Sequence, residues 1–386
     1  MTTLSETTEI LRDLIAFPTV STDSNLACIG YLADRLERAG ARVEVYQDDT
    51  GAKANLWATL GPDADGGIVL SGHSDVVPVA DQDWTSDPFV MDERAGLLYG
   101  RGACDMKGFI AAAVSMAPLY AARDLARPIH FAFTHDEETG CLGGQALVTE
   151  LQNRGYRPAM ALIGEPTEMR IIEGHKGCFE YSTHFHGLEG HGSGPDLGVN
   201  AVEYAVRYVS RLLELKDKLR HRCPPDSQFE PPWTTINTGA LIGGVAHNVI
   251  PGKARVDWEM RPVQKSDADF VKEDLHHFCT HHLLPAMQAV DPSASIHTEV
   301  IGEVVGLEPM DQNAIRDLVV ELTGANATDL VPFGTEAGLF QQLGMDVIVC
   351  GPGSIAQAHK PDEFVSLDQM VQCLSMLEKL GDKVSA

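Results

Sequence analysis

The order of apolar patterns along the chain most strongly limits the fold that it can adopt. In the first part, short apolar runs alternate with helical patterns, which is typical of an α/β domain. Such a domain has a mostly parallel sheet flanked by helices. The predicted strands cover residues 55–60, 67–71, 129–134 and 160–164. The predicted helices between and around them cover residues 27–39, 108–122 and 144–154.

A different order of elements begins near Cys178. It predicts strands at 178–187, 234–242, 253–261 and 295–300, with helices at 200–219 and 266–287. This β-α-β-β-α-β order is the ferredoxin-like pattern. After it the α/β character resumes with a helix at 312–323, a strand at 346–350 and a helix at 367–380. We therefore predict a discontinuous α/β domain of residues 1–177 and 302–386, with an inserted ferredoxin-like α+β lid domain at 178–301.

Composition limits the partners and the compartment. The chain has 55 acidic against 29 basic residues, and its formal charge of −26 repels nucleic acid and anionic lipid. An acidic surface weakly favours cationic substrates, although it is also common for solubility alone. The eight cysteines lack paired CxxC spacing, and the N-terminus MTTLSETTEILRDLIAF is acidic where a signal peptide is basic. No apolar run approaches a membrane span. We expect a cytoplasmic protein with an amphipathic first helix and neither nucleic-acid nor membrane partners.

Histidines and acids follow the predicted strands, where open α/β sheets place their ligands. His73 and Asp75 lie just beyond one strand, so the Asp75 carboxylate could hydrogen-bond the far nitrogen of a metal-binding His73. A simple polar pair would look the same. Asp105 lies in a glycine-flanked turn before a helix, where a helix N-terminal acid is the alternative.

The remaining acids follow two other strands. Residues 136–138 are three consecutive acids, which are costly together unless cations or solvent compensate them, and a solvated acidic loop is the alternative. Glu165 ends the next strand, and His359 lies in a loop after a later one. Two imidazoles and three carboxylates suit two zinc ions that share a bridging carboxylate. The set is His73, Asp105, Glu138, Glu165 and His359.

The motifs GHSD, GRGACDMKG, DEE and IGEPT, together with the late histidine, resemble those of a co-catalytic metallopeptidase family. That family contains acetylornithine deacetylase, succinyl-diaminopimelate desuccinylase, aminoacylase and carboxypeptidase G, and the resemblance covers essentially the whole chain. It implies that Asp105 bridges two metal ions in a catalytic domain. His73 and Glu165 would complete one site, and Glu138 and His359 the other.

The same resemblance makes Glu137 the general base beside the ligand Glu138. A carboxylate that holds no metal can take a proton from water and pass it to the leaving amine. Amide hydrolysis would then need no acyl-enzyme. Cys104 is an alternative nucleophile, but no histidine is evident as its activating base. We expect two Zn²⁺ ions, although Co²⁺ and Mn²⁺ also accept these ligands.

The predicted lid carries further candidates by resemblance. His191 corresponds to a lid histidine that reaches into a partner subunit and stabilises the oxyanion, which requires a homodimer. The alternative is a histidine in a surface turn. Asn248 and Arg261 correspond to residues that hold the substrate carboxylate, and Arg261 could instead be a lid surface residue. The histidines at 276, 277, 281 and 282 suggest a solvated helix face rather than another metal site.

Within the family, the chain is most similar to the acetylornithine deacetylases. The motifs that carry this are DEETGCLGG, IGEPT, GHKG, FGTEAGLF and CGPGSIAQAHKPDEFV. They imply hydrolysis of N-acetyl-L-ornithine in arginine biosynthesis, with Glu336 meeting the cationic side chain or serving as a structural acid. Thr134 and His135 depart from the expected pattern, so related substrates stay open: acetylcitrulline, succinyl-diaminopimelate or N-acyl amino acids in general. A non-catalytic metal-binding protein is a further alternative, but it would have no use for Glu137.

Overall fold

The computed structural model describes residues 3–385, which form two compact units. The first contains the chain up to Gly174, Pro309–Leu330 and the chain from Thr335 onward. The second contains His175–Glu308 and Val331–Gly334. It therefore extends beyond the predicted 178–301 at both ends. The added residues bond within that unit, since the amide of His175 donates to the Leu307 carbonyl and that of Gly177 to Pro262.

The bounds of the elements agree with the predicted order and add several short strands. The strands are β1 (Arg42–Gln47), β2 (Ala54–Leu60), β3 (Ile68–His73), β4 (Asp92–Arg94), β5 (Leu97–Tyr99), β6 (Ile129–Thr134), β7 (Met160–Pro166), β8 (Ile172–His175), β9 (Cys178–His186), β10 (Gly190–His191), β11 (Thr235–Gly243), β12 (Val249–Ile250), β13 (Lys253–Arg261), β14 (Ser295–Val304), β15 (Asp329–Val331), β16 (Asp346–Gly351) and β17 (Phe364–Ser366). The helices are α1 (Thr3–Ile15), α2 (Leu26–Arg38), α3 (Lys107–Ala121), α4 (Leu142–Arg154), α5 (Ala201–Arg220), α6 (Lys265–Phe278), α7 (Leu284–Gln288), α8 (Ala314–Thr323), α9 (Ala337–Gln342) and α10 (Leu367–Lys383).

The first unit is built on a sheet in the order β1-β2-β6-β3-β7-β16-β8-β15. Its central strands β6, β3, β7 and β16 are parallel, and antiparallel pairs extend it on both sides. Strands β3, β6 and β7 are buried along their whole length, as expected when helices cover both faces. Helix α3 is buried along nearly all its length, with α1 and α10 packed against it. The predicted mostly parallel α/β sheet is confirmed.

The second unit contains an antiparallel sheet in the order β11-β13-β9-β14. With α5 and α6 between its strands in the chain, this is the ferredoxin-like arrangement that the sequence predicts. The single predicted helix at 266–287 is divided into α6, a π-helical turn at Cys279–Leu283 and α7. The reason is Pro285, which has no N–H to donate to the carbonyl four residues before it.

The helices and the cysteines bear on the environment in which the protein works. No helix within residues 3–385 is both long enough and apolar enough to span a membrane. Each of the eight cysteines carries a free thiol. The cytoplasmic location itself stays a prediction.

Candidate active site

One edge of the parallel sheet collects most of the predicted site residues. His73 is the last residue of β3, Glu165 lies near the end of β7, and the acidic run follows β6. His359 lies in the loop after β16. Because β6, β3, β7 and β16 are neighbours and parallel, their carboxyl ends meet at this edge. The tertiary fold therefore brings together side chains that are far apart in the sequence.

Asp105, in the turn before α3, lies between the two histidines. One carboxylate oxygen is 3.0 Å from His73 Nε2, and the other is 3.3 Å from His359 Nε2. The carboxylate is almost completely buried. Burial by itself would raise the pKa of Asp105, but hydrogen bonds from His359 and His73 hold that pKa below its usual range. This is the placement that a bridging carboxylate requires.

The other two predicted ligands extend the cluster on either side of Asp105. Glu138 Oε2 is 3.0 Å from His359 Nε2. Glu165 Oε1 is 3.8 Å from His73 Nε2 and is buried without a hydrogen-bond partner. The five predicted metal ligands therefore form two overlapping groups, one with His73 and one with His359, that share Asp105.

The chemistry of this cluster fits two divalent cations. Burial, reinforced by the nearby charge of Asp105, raises the pKa of Glu165 well above its usual range. Burial likewise raises the pKa of Glu138, again with repulsion from Asp105. Carboxylates gathered at one buried place are costly unless cations offset their charge. Bound cations would also give the orphaned Glu165 oxygen a partner, and mixed imidazole and carboxylate donors suit first-row divalent metals.

Asp75 connects three segments of the site. The Nδ1–H of His73 donates to the backbone carbonyl of Asp75 at 2.9 Å, whereas the predicted carboxylate partner Oδ1 is more distant at 3.6 Å. The carbonyl therefore fixes the tautomer that leaves Nε2 for a metal. The Asp75 carboxylate instead accepts from the amides of Glu137 and Glu138, at 3.2 and 3.4 Å, and from Ser21 Oγ at 2.7 Å. It thus holds the backbone of the two adjacent acids.

Glu137 and Glu138 have different neighbours. The Glu138 carboxylate meets His359, whereas Glu137 Oε1 accepts a hydrogen bond from the Cys141 thiol at 3.4 Å. Burial, opposed in part by the charge of His73, raises the pKa of Glu137 to about 8. A Glu137 oxygen also lies within 4.8 Å of ligand atoms of His73 and Glu165. Geometry therefore places both acids at the cluster, and the division into base and ligand stays a prediction.

Glu336 is buried beneath the strand ends. It is 1% exposed, and its carboxylate oxygens accept hydrogen bonds from Ser71 Oγ at 2.6 Å and Thr134 Oγ1 at 2.9 Å. These hydroxyls lie on β3 and β6, so the acid cross-links the two strands just before the site residues. The placement favours the structural-acid alternative over a contact with a substrate. Cys104 is also buried, and burial raises the pKa of its thiol well above its usual range, which opposes a nucleophilic role.

The candidates from the predicted lid lie in the second unit. His191 is exposed on β10, which pairs with β12, and its Nδ1 is 2.7 Å from Ser193 Oγ. The Asn248 carbonyl accepts from the amide of Gly192, so Asn248 and His191 lie close together. Arg261, at the end of β13, donates from Nε and Nη2 to Glu259 Oε2 at 3.0 and 2.8 Å. The substrate-binding and oxyanion roles of these residues stay predictions.

The structure also shows contributors that sequence reasoning missed. Glu363 is 1% exposed and accepts from the backbone around Asp105, while Lys53 Nζ contacts Asp136 and donates to the Ser21 carbonyl. Their partners are far away in the sequence, so no local pattern predicts the contacts. Arg101 is the exception, because its place in the sequence indicates a buried ion pair. An arginine inside the apolar, glycine-rich segment YGRGACD needs an acidic partner once it is buried.

Comparison with known proteins is consistent with this site. Residues 69–383 match peptidase family M20/M25/M40. The chain is 35% identical to an acetylornithine deacetylase of Myxococcus xanthus over 374 residues, 96% of this chain and 95% of the relative. It is 36% identical to an acetylornithine deacetylase of Klebsiella pneumoniae over 364 residues, 92% of each chain.

Solved structures show the same fold at low identity. A metallo-carboxypeptidase of Sulfolobus solfataricus superimposes with a TM-score of 0.74 at 16% identity, covering 97% of this chain and 98% of the other. A dinuclear metal-binding peptidase of Bacillus subtilis gives a TM-score of 0.65 at 16% identity, covering 99% and 98%. Because the match covers most of the chain, and because two imidazoles and three carboxylates converge at its site, the chain belongs to peptidase family M20/M25/M40 and is a metal-dependent hydrolase that holds two divalent ions.

Proposed function

We propose that this enzyme hydrolyses the amide bond of N-acetyl-L-ornithine to give L-ornithine and acetate, in arginine biosynthesis. The main observation in support of amide hydrolysis is the position of Glu137. Its carboxylate lies beside the metal-ligand cluster, but unlike Glu138 it does not contact His359. The choice of substrate is supported by the two relatives named as acetylornithine deacetylases, at 35% and 36% identity.

The residues that would hold the ions are those of the two overlapping groups. His73 and Glu165 would serve one ion, Glu138 and His359 the other, and Asp105 both. We assign Zn²⁺ to both sites, with Co²⁺ as an alternative metal, because the donors are imidazoles and carboxylates. When bound, such ions lower the pKa of water and polarise a carbonyl oxygen.

Glu137 would carry the proton. Its carboxylate accepts a proton from the attacking water and delivers it to the nitrogen of the departing amine. A general base works best when its pKa lies near the working pH. Burial raises the pKa of Glu137, and bound cations would bring it back down. Asp75 supports this role because its carboxylate holds the amides of Glu137 and Glu138. The base and its neighbouring ligand are thereby fixed from one side chain.

The second unit would supply substrate contacts. Arg261 and Asn248 offer a guanidinium and an amide for a carboxylate, and His191 is an exposed donor for an oxyanion. If His191 acts in a partner subunit, the working enzyme is a homodimer. Arg261 is half-exposed and already paired with Glu259, so the substrate carboxylate would compete with that pair.

The test is a panel of N-acyl amino acids offered to enzyme reconstituted with Zn²⁺. The panel contains N-acetyl-L-ornithine, acetylcitrulline, succinyl-diaminopimelate and N-acetyl derivatives of neutral amino acids. We expect the highest kcat/KM for N-acetyl-L-ornithine. A higher value for another member would change the substrate but keep the chemistry, whereas no turnover of any member by metallated protein would leave only a metal-binding role.

A further inference from the structure

We propose that Glu363, together with Arg101 and Gln82, is a positioning residue that holds the Asp105 and His359 segments in place and thereby sets the affinity for the metal ions. The inference rests on the metal centre of the proposed function, but not on the choice of substrate. None of these three side chains is among the predicted ligands. Each is placed by contacts between segments that are more than 250 residues apart.

The Glu363 carboxylate is fully engaged by the turn that carries Asp105. Its Oε1 accepts from the amides of Cys104 and Asp105, at 2.9 and 3.1 Å. Its Oε2 accepts from the amide of Gly102 at 3.0 Å and from Arg101 Nη1 at 2.8 Å. An ionised carboxylate only accepts, so it can satisfy four converging N–H donors. The backbone of the bridging ligand is therefore fixed by one buried side chain.

Arg101 extends the same network towards His359. It is 1% exposed, and besides Glu363 it donates from Nη1 to the carbonyl of Lys360 at 3.3 Å. From Nη2 it donates to Gln82 Oε1. Gln82 Nε2 in turn donates to the carbonyl of His359 at 2.9 Å. A continuous chain of hydrogen bonds thus runs from the Asp105 amide to the His359 backbone.

His359 needs such support more than the other ligands. Its φ is 61°, in a region that non-glycine residues seldom occupy, and its side chain is 53% exposed. By contrast, His73 ends a buried strand and its ring is fixed by the Asp75 carbonyl. Packing therefore does little to hold His359, and the Gln82 bond to its carbonyl becomes a main restraint.

The network has a consequence for metal affinity because ligands must be held close to their binding geometry before the metal arrives. In Glu363→Gln, one of the two accepting oxygens becomes an amide nitrogen that faces N–H groups. A buried donor without an acceptor is costly, so the turn that carries Asp105 should shift. Loss of such supporting bonds typically reduces metal affinity or activity by about 10–100-fold.

The experiment measures Zn²⁺ binding by competition with a chromophoric chelator, for wild type, Glu363→Gln and Gln82→Met. Glu363→Gln should bind Zn²⁺ about 10–100-fold more weakly, and its kcat should rise towards the wild-type value as free Zn²⁺ is increased. Gln82→Met removes the bond to the His359 carbonyl and the bonds that Gln82 Oε1 accepts from Arg101 and Trp84, but it keeps the bonds from Glu363 to the backbone of the Asp105 turn. It should therefore weaken the binding of one of the two ions and leave the binding of the other unchanged. Gln82 is part-exposed, so this variant tests the proposal even if Glu363→Gln does not fold.

A matched control is Asp267→Asn in the second unit. Asp267 is fully buried and accepts from Arg222 Nε at 2.9 Å and Thr234 Oγ1 at 2.6 Å, so it too is a buried carboxylate with an arginine partner. This control should lower the melting temperature of metal-free protein without changing Zn²⁺ affinity. Unchanged affinity for both ions in folded Glu363→Gln or in Gln82→Met would overturn the proposal. Because binding is measured without substrate, failure of the substrate panel would not affect it.

Discussion

Replacing Glu137 and Glu138 one at a time by glutamine separates a general base from a metal ligand. Glu137→Gln keeps the shape but removes the basic oxygen. Loss of a general base typically lowers kcat by about 10²–10⁴-fold, which corresponds to a rise of about 3–5 kcal/mol in the activation free energy. The structure predicts little cost to folding, because the side-chain partner of Glu137 is the Cys141 thiol at 3.4 Å. Removing its charge also relieves repulsion from Glu138 and Asp105.

Glu138→Gln should behave differently. Its carboxylate meets His359 Nε2 at 3.0 Å, within the group that would hold one ion. A neutral amide is a poor zinc ligand, so this variant should lose affinity for one metal and regain part of its activity in excess Zn²⁺. Glu137→Gln should retain both metals, and its activity should not recover in excess Zn²⁺.

The assay is bound metal per chain alongside kcat, over a range of free Zn²⁺. Glu150→Gln, a change of the same kind in an exposed i,i+4 ion pair with Arg154 on α4, is the control and should alter neither quantity. Loss of a metal by Glu137→Gln with recovery in added zinc, or near-normal turnover of this variant, would contradict the role of Glu137 as the base. The first result would make Glu137 the ligand, as its proximity to His73 and Glu165 allows.

Three further predictions concern the metals, the second unit and acid stability. Removing metal with a chelator should abolish activity, and Zn²⁺ or Co²⁺ should restore it; full activity in protein shown to be metal-free by elemental analysis would exclude the mechanism. His191→Ala should leave metal content and folding intact and lower kcat by about a hundredfold or more. When the His191→Ala protein is mixed with the Glu137→Gln protein, hybrid dimers should regain activity. No recovery in demonstrated hybrids would confine the role of His191 to its own chain. Burial, with a smaller contribution from Arg42, lowers the pKa of His130 to about 4, below its ordinary value, so the unfolded chain takes up this proton first as pH falls. Between pH 7.5 and 5 this proton uptake should lower the unfolding free energy of the wild type by about 2 kcal/mol. His130→Phe can still stack on Trp57 and should not show this loss. Equal losses for the two proteins in urea denaturation would contradict the prediction.

Much of the site follows from the sequence because of how parallel sheets are built. The carboxyl ends of neighbouring parallel strands meet at one edge, so His73 and Glu165, each at the end of an apolar run, are brought together by sheet formation alone. The β-α-β-β-α-β order of the second unit was likewise readable from period and turn signals. The pattern at 266–287 predicts one continuous helix and misses the π-helical turn at Cys279–Leu283, although Pro285 indicates an interruption there.

Glu336 and Arg261 show where local patterns are insufficient. Glu336 lies in a short glycine-containing motif that gives no sign of burial. Only the tertiary structure shows that hydroxyls of Ser71 on β3 and Thr134 on β6 bond to its carboxylate. Arg261 has a suitable charge for a carboxylate ligand, but strand geometry places residues two apart on the same face, where Glu259 pairs with it. Their environments, not their residue types, decide what they can contact.

By itself, the sequence determined the family and the fold class, and it predicted the five residues that the fold gathers at one edge of the sheet, because these depend on periodicity and on short motifs at strand ends. The tertiary structure alone decided what holds these residues in place. Asp75 reaches the amides of the acidic run from 62 and 63 residues away, and Glu363 reaches the Asp105 amide from 258 residues away. Hydrogen bonds of this kind need close contact in space but no regular spacing in the chain, so only the folded arrangement shows them.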